Sequence, residues 1–160
     1  MKKLATLFSL FFTLAAFAQT GYEIKITFRP FKNQYVYLGH YFGKQYPIID
    51  SVKLNNKSEA TFKGAKKLPG GIYLIGYPGK TGFFEILVDK QQRFSVIADT
   101  ATLVKGIKFI NSPDNTLFSS YQQYMSAKGR EVAKLQQQLS TTKNAGDSAR
   151  IIAELTNLDK

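Results

Sequence analysis

Tyr22-Glu23-Ile24-Lys25-Ile26-Thr27-Phe28-Arg29 alternates apolar and polar residues without a break. Successive side chains of a strand point to opposite faces. The octet therefore puts Tyr22, Ile24, Ile26 and Phe28 on one face and Glu23, Lys25, Thr27 and Arg29 on the other. It reads as a half-buried β-strand, which needs a second apolar layer to cover it.

Downstream, the same period returns in short runs separated by turn chemistry. Strands are expected at 35–38, 48–54, 60–62, 72–75, 83–88, 94–97 and 107–110. The punctuation is Asn55-Asn56, Leu68-Pro69-Gly70-Gly71, Pro78-Gly79 and Asp89-Lys90-Gln91-Gln92, the last expected to reverse the chain into Phe94. About eight strands at roughly 8–12-residue spacing predict a mainly-β fold, an antiparallel β-sandwich or barrel. No long helix separates them, which argues against a parallel, doubly wound sheet.

After Asn111 the period lengthens. Ser112-Pro113 is a helix start, with serine at the N-cap and proline at the first helical position, where its missing N–H costs nothing. Leu117, Tyr121, Tyr124, Met125, Val132, Leu135 and Leu139 then fall on one helical stripe. Asn144-Ala145-Gly146 breaks the run, and Asp147 is expected to cap a second helix carrying Ile151, Ile152, Leu155 and Leu158. A C-terminal α-helical hairpin is thus expected behind the sheets. Its second helix reaches Lys160 with its apolar face still repeating and no stop signal, so the chain is expected to be the front of a longer protein.

Upstream of the octet, Met1-Lys2-Lys3 is a short positive segment and residues 4–17 (LATLFSLFFTLAAF) are almost wholly apolar. Ala16-Phe17-Ala18 sets small residues where a signal peptidase needs them, so cleavage is expected before Gln19. The apolar run is shorter than the roughly 20 residues that span a bilayer, and no second such segment follows. There is no cysteine at the cleavage site for lipid attachment. A periplasmic or secreted, soluble product is expected, divided as signal peptide 1–18, sandwich 19–111 and helical segment 112–160.

Composition narrows the chemistry. The chain is 44% hydrophobic, enough to bury a core. It has no cysteine and one histidine, His40. A disulfide framework, a thiol nucleophile and a histidine metal cluster are all excluded. Formal charge is +11, or +9 once Lys2 and Lys3 leave with the signal. The lysines are scattered and form no basic stripe, so nucleic acid is not an expected partner. Gly79-Lys80-Thr81 resembles the end of a phosphate-binding loop, but the glycine required five residues earlier is Leu74, and a strand rather than a helix follows. Glu85 alternates with Phe84 and Ile86 and reads as a half-exposed strand carboxylate; its pairing with Asp50 or Asp99 is left to the fold. No catalytic residue and no cofactor are expected.

Aromatic residues are the remaining signal. Tyr35, Tyr37, Tyr41, Phe42 and Tyr46 gather around His40 and Lys44. Val36 and Leu38 alternate with the tyrosines, so one face of this strand cannot hide every ring. Tyr35, Tyr37, His40, Tyr41 and Tyr46 form a candidate interaction surface for glycan or peptide. The competing expectation is that both faces are covered, one by the opposing sheet and one by the C-terminal helices.

The run Phe109-Ile110-Asn111-Ser112-Pro113-Asp114-Asn115, followed by Leu117-Phe118 and Tyr121, resembles a junction known from one protein architecture. There a β-sandwich domain of unknown function precedes a helical segment and a periplasmic thioredoxin-like thiol–disulfide oxidoreductase domain. The segments Ala60-Thr61-Phe62-Lys63-Gly64, Gly71-Ile72-Tyr73-Leu74 and Phe84-Glu85-Ile86-Leu87-Val88-Asp89 resemble it too, whereas Asn111 stands where glycine is usual. The resemblance implies a non-catalytic accessory or docking module, with the thioredoxin-like partner domain and its Cys-x-x-Cys site beyond Lys160. A free-standing exported binding module is the alternative reading. A structural envelope protein, its basic surface against anionic lipid or lipopolysaccharide, is a third; its binding would be lost at high salt.

Overall fold

The computed structural model describes residues 21–103 and 106–158. The expected signal peptide, 1–18, and the cleavage site before Gln19 lie outside the described residues. Eight strands build two four-stranded sheets. In the first, β1 (Tyr22–Arg29) lies between β4 (Glu59–Gly64) and β7 (Arg93–Asp99), and β8 (Lys108–Ile110) follows β7. In the second the order is β3 (Ile48–Lys53), β2 (Tyr35–His40), β5 (Gly71–Gly76) and β6 (Phe83–Val88). Two helices follow, α1 (Pro113–Thr141) and α2 (Ala145–Leu158), so the expected mainly-β fold with a helical hairpin is what forms.

The β1 octet behaves as its alternation demands. Ile24, Ile26 and Phe28 are buried between the sheets, together with Phe62, Phe94, Val96 and Ala98 of the same sheet. Val36, Leu38, Tyr73, Ile75, Phe84, Ile86 and Val88 of the second sheet face them. At about 1.5–3 kcal/mol per fully buried large side chain, this two-layer core is the main stabilising term.

Two features depart from the expected reading. The sheets are antiparallel except that β1 and β7 run parallel, in register from Glu23 with Arg93 to Arg29 with Asp99. Residues 89–92 also do not reverse the chain within one sheet: they carry it from β6 in the second sheet to β7 in the first. Crossing the sandwich this way lets β7 arrive beside β1 in the same direction.

Gln92 holds that corner. Its side chain is buried, accepts the Leu68 N–H at 3.0 Å, and donates to the carbonyls of Leu68 (3.2 Å) and Asp89 (2.6 Å). Its own carbonyl accepts the Glu23 N–H at 2.8 Å. One glutamine thus pairs backbone groups that would otherwise be buried without partners. At the crossing from β3 to β4, Asn55 Oδ1 accepts from the Lys57 and Glu59 N–H groups, so the asparagine turn forms as its chemistry predicts.

A polar bond ties the sheets together at Tyr22, whose hydroxyl donates to Asp50 Oδ2 at 3.1 Å. Burial, and then this bond to a carboxylate, push the phenol up to about 12 from 10.0. The folded state therefore holds a proton that the unfolded chain releases near pH 10. The stability from this group is whole below pH 10 and is lost as pH rises from 10 toward about 12. In urea melts across that window, Tyr22→Phe should flatten the alkaline decline. An unchanged slope would remove Tyr22 as its source.

Ser112 caps α1 at the expected position, but its hydroxyl accepts from the Asn115 side chain at 2.8 Å rather than from a helix backbone N–H. The cap of α2 differs from expectation. Asn144, not Asp147, receives the first N–H groups, from Gly146 (2.8 Å) and Asp147 (3.3 Å), while Asp147 instead pairs with Arg150. The asparagine that looked like a break is the start.

The apolar stripe of α1 divides in two. Leu135 is buried and Val132 and Leu139 half-buried where α2 packs back with Ile151, Leu155 and Leu158. Leu117, Tyr121, Tyr124 and Met125 stay exposed, Leu117 at 73%. The N-terminal half of α1 meets the sandwich through Asn115, Ser119 and Gln122 instead, because it packs on a strand edge, which asks for hydrogen-bonding groups. Among the described residues no helix is long and apolar enough to cross a membrane.

Candidate functional site

The outward faces of the two sheets differ in chemistry. On the first, Glu23, Lys25, Thr27, Arg93 and Ser95 point outward, and Glu23 pairs with Lys25 (3.5 Å) and Arg93 (3.4 Å). On the second, the outward residues are Tyr35, Tyr37, Gly39, Ile48, Ile72, Leu74, Gly76, Phe83 and Leu87, with Ser51, Lys53 and Glu85 among them. The helices touch only β6 and β8 appreciably, so they do not cover this apolar face.

A hairpin tip folds over part of it. Phe42 and Gln45 exchange backbone hydrogen bonds of 2.9 and 3.0 Å around Gly43-Lys44, and Gly43 takes the left-handed φ of +59° that such a tight turn requires. At the base of the tip the Pro47 carbonyl passes so close to Gly39 that a Cβ there would stand 3.0 Å from it. The tip then reaches across β5. Tyr46 packs on Tyr41 (ring centroids 5.3 Å) and on Phe83 of β6 (5.6 Å), and the Tyr41 hydroxyl donates to Glu85 of β6. Leu74, outward on the strand beneath, is left 3% exposed.

Beside the tip lies a groove of about 340 Å³, lined chiefly by Tyr37, Tyr46, Ile48, Leu74, Lys80 and Phe83. Its one charged wall is Lys80, whose ammonium sits 5.3 Å from the centre of the Tyr37 ring. Lys80 and Gly79 both have positive φ in the 3-10 turn over Pro78–Lys80. The Gly-Lys-Thr run is therefore a β5–β6 connection leading into a strand, in line with the rejection of a phosphate loop.

Glu85 joins the tip to α1. One carboxylate oxygen accepts from Tyr41 and the other from Gln122 Nε2 at 2.6 Å. The bond to this carboxylate, with burial second, pushes the Tyr41 phenol up to about 12. Among the described residues no acidic side chain pairs with Glu85: Asp50 receives Tyr22 and Asp99 holds the Ala101 N–H at 2.9 Å.

Of the five candidate surface residues, Tyr37, Tyr41 and Tyr46 come together at the tip and groove. Tyr35, 52% exposed, shares their face but does not line the groove. His40 does not join them. It pairs across from Tyr73, on the inward side, and lines a second cavity of about 790 Å³ with Tyr41, Leu68 and Tyr73; Tyr41 touches Tyr46 at the tip but lines this cavity and not the groove. Its Nδ1 is buried with no hydrogen-bond partner among the described residues. Ile48, Leu74, Lys80 and Phe83 escaped the sequence reading, though Phe83-Phe84 carried a signal: adjacent strand residues face opposite ways, so one ring had to point outward. Among the described residues no three metal-ligating side chains stand together.

Fold and face together define a mainly-β, two-sheet sandwich domain with a helical hairpin behind it. The chain belongs to the family described as a domain of unknown function, DUF4369, whose profile matches residues 22–118. That span holds all eight strands and the first turns of α1, including Asn115. It concerns the sandwich and carries no statement about a thioredoxin-like neighbour. No curated protein matches the chain at a significant level.

Proposed function

We propose that this chain is the non-catalytic accessory and docking module of an exported, periplasmic thiol–disulfide oxidoreductase whose thioredoxin-like domain follows residue 160. The observation that carries the docking half is the contrast between the sheets: one outward face carries the Glu23–Lys25 and Glu23–Arg93 ion pairs, the other exposes aromatic rings and is left open by the helices. The exposed stripe Leu117, Tyr121, Tyr124 and Met125 supports attachment, since an apolar helix face of this kind suits a following domain packed against it. With no cysteine in 160 residues, the exchange chemistry belongs to that domain and not to this one.

The test is the coding sequence downstream of Lys160. A frame that continues into a Trp-Cys-x-x-Cys segment is the expected result, and a stop codon directly after Lys160 sinks the redox reading. The open aromatic face favours one other reading, a free-standing exported module for glycan or peptide. That reading requires the stop codon, and a ligand lost in Tyr37→Ala and Tyr41→Ala.

A further inference from the structure

We infer that the groove on the second sheet binds an acidic peptide segment, seating one large apolar side chain against Tyr37, Tyr46, Leu74 and Phe83 and pairing a carboxylate with Lys80. This deepens the docking half of the proposal above and is independent of any downstream domain.

The walls fix the apolar part. Leu74 forms a buried floor, while the rings of Tyr46 and Phe83 stand half in solvent, at 54% and 43% exposure. About 340 Å³ holds one large side chain with its flanking main chain, at the small end of ligand sites. Few polar groups converge on it, whereas a sugar presents hydroxyls all round and would leave most of them unpaired.

Charge fixes the acidic part. Lys80 at the groove, Lys44 at the hairpin tip and Lys53 on the outward side of β3 have no carboxylate partner among the described residues. The one carboxylate on this outward face, Glu85, already accepts from Tyr41 and Gln122. The face therefore presents unneutralised cations around an apolar slot, and its complement is anionic and apolar at once.

The edge of the sheet points to a peptide and not a lipid. β3 forms one rim through Ile48 and pairs with β2 alone, leaving its other edge for a peptide main chain. The bulge opposite Leu38–Gly39 limits such pairing to a short stretch, so side-chain recognition dominates.

The test titrates the chain with a fluorescein-labelled Glu-Glu-Phe-Glu-Glu peptide at low and high salt, with two controls: alanine for the phenylalanine, and lysine for each glutamate. Saturable binding by the first peptide alone is expected, weakening with salt. Lys80→Gln and Phe83→Ala should each weaken it about tenfold, both positions being exposed enough to leave folding intact. Amide shifts in nuclear magnetic resonance spectra should centre on Tyr37, Gly76 and Phe83. Equal binding of the alanine control would reduce the site to non-specific charge attraction and overturn the inference. So would no binding at all, or binding only of phosphatidylglycerol vesicles or of an oligosaccharide. None of these failures bears on the reading frame beyond Lys160.

Discussion

Phe28→Ala should destabilise the chain by about 3–5 kcal/mol, the range for deleting a buried ring when the cavity cannot collapse. Phe28 is fully buried, and three rings surround it: Phe31 at 4.9 Å, Tyr77 at 5.0 Å and Phe84 at 5.6 Å, all edge-on. These come from three parts of the chain: the loop after β1, the residue after β5, and β6. No single neighbour can move in to fill the space. Domains are stable by only about 5–15 kcal/mol, so the variant should lose much of its margin. The measurement is the guanidinium midpoint at unchanged slope, with Phe28→Leu as the milder companion, at under about 1.5 kcal/mol. A loss below about 1 kcal/mol for the alanine variant would mean that the rings are not a working part of the core.

Asn115→Ala should cost about 2–4 kcal/mol, more than an ordinary helix substitution, because two backbone groups would lose their partners at once. Asn115 is 1% exposed. Its Oδ1 accepts the Leu87 N–H at 2.7 Å, its Nδ2 donates to the Leu87 carbonyl at 2.7 Å and to Ser112 Oγ at 2.8 Å. β6 is an edge strand, and this amide closes its edge as a neighbouring strand would. The same contact anchors α1, and Gln122 reaches Glu85 two turns further on. Amide exchange should therefore speed up at Leu87 and along the first turns of α1, while the core strands stay protected. Asn115→Asp separates the parts: it keeps an acceptor for the Leu87 N–H but cannot donate to the Leu87 carbonyl. If alanine were tolerated without faster exchange at Leu87, the anchoring role would be wrong.

Asn115 also shows why apolar spacing alone does not predict which face of α1 is buried. Its neighbours Leu117, Tyr121, Tyr124 and Met125 have the spacing of a buried stripe, yet they lie in solvent. Apolar periodicity identifies the face a helix can bury against another apolar surface. It is silent about docking on a strand edge, where pairing of N–H and C=O groups decides the orientation. Asn144 is ambiguous for a related reason: an asparagine before Ala-Gly fits a helix stop as well as a cap, and the backbone that follows settles which.

The aromatic face was half legible. Alternation in β2 required exposed tyrosines, and Tyr37, Tyr41 and Tyr46 do meet. Whether a second layer covered them depended on where the helices went, and which residues completed the groove depended on β5 and β6 lying beside β2. His40 lies on the other face because it continues the alternation of Val36 and Leu38 along β2, which stays in regular register with β5.

Local rules are written in single residues and their near neighbours. From the sequence alone come the eight alternating strands, the apolar faces they bury, the asparagine turn at Asn55, the start of α1 at Ser112-Pro113 and the absence of thiol chemistry. Tertiary structure alone decided the sheet each strand joins, the parallel pairing of β1 with β7, the sandwich crossing held by Gln92, and the face left open once α1 docks on β6. The reason is physical: every strand offers the same backbone donors and acceptors along its edge. A strand's own sequence marks the face it buries and leaves its partner, tens of residues away, to be selected by the packing of the whole core.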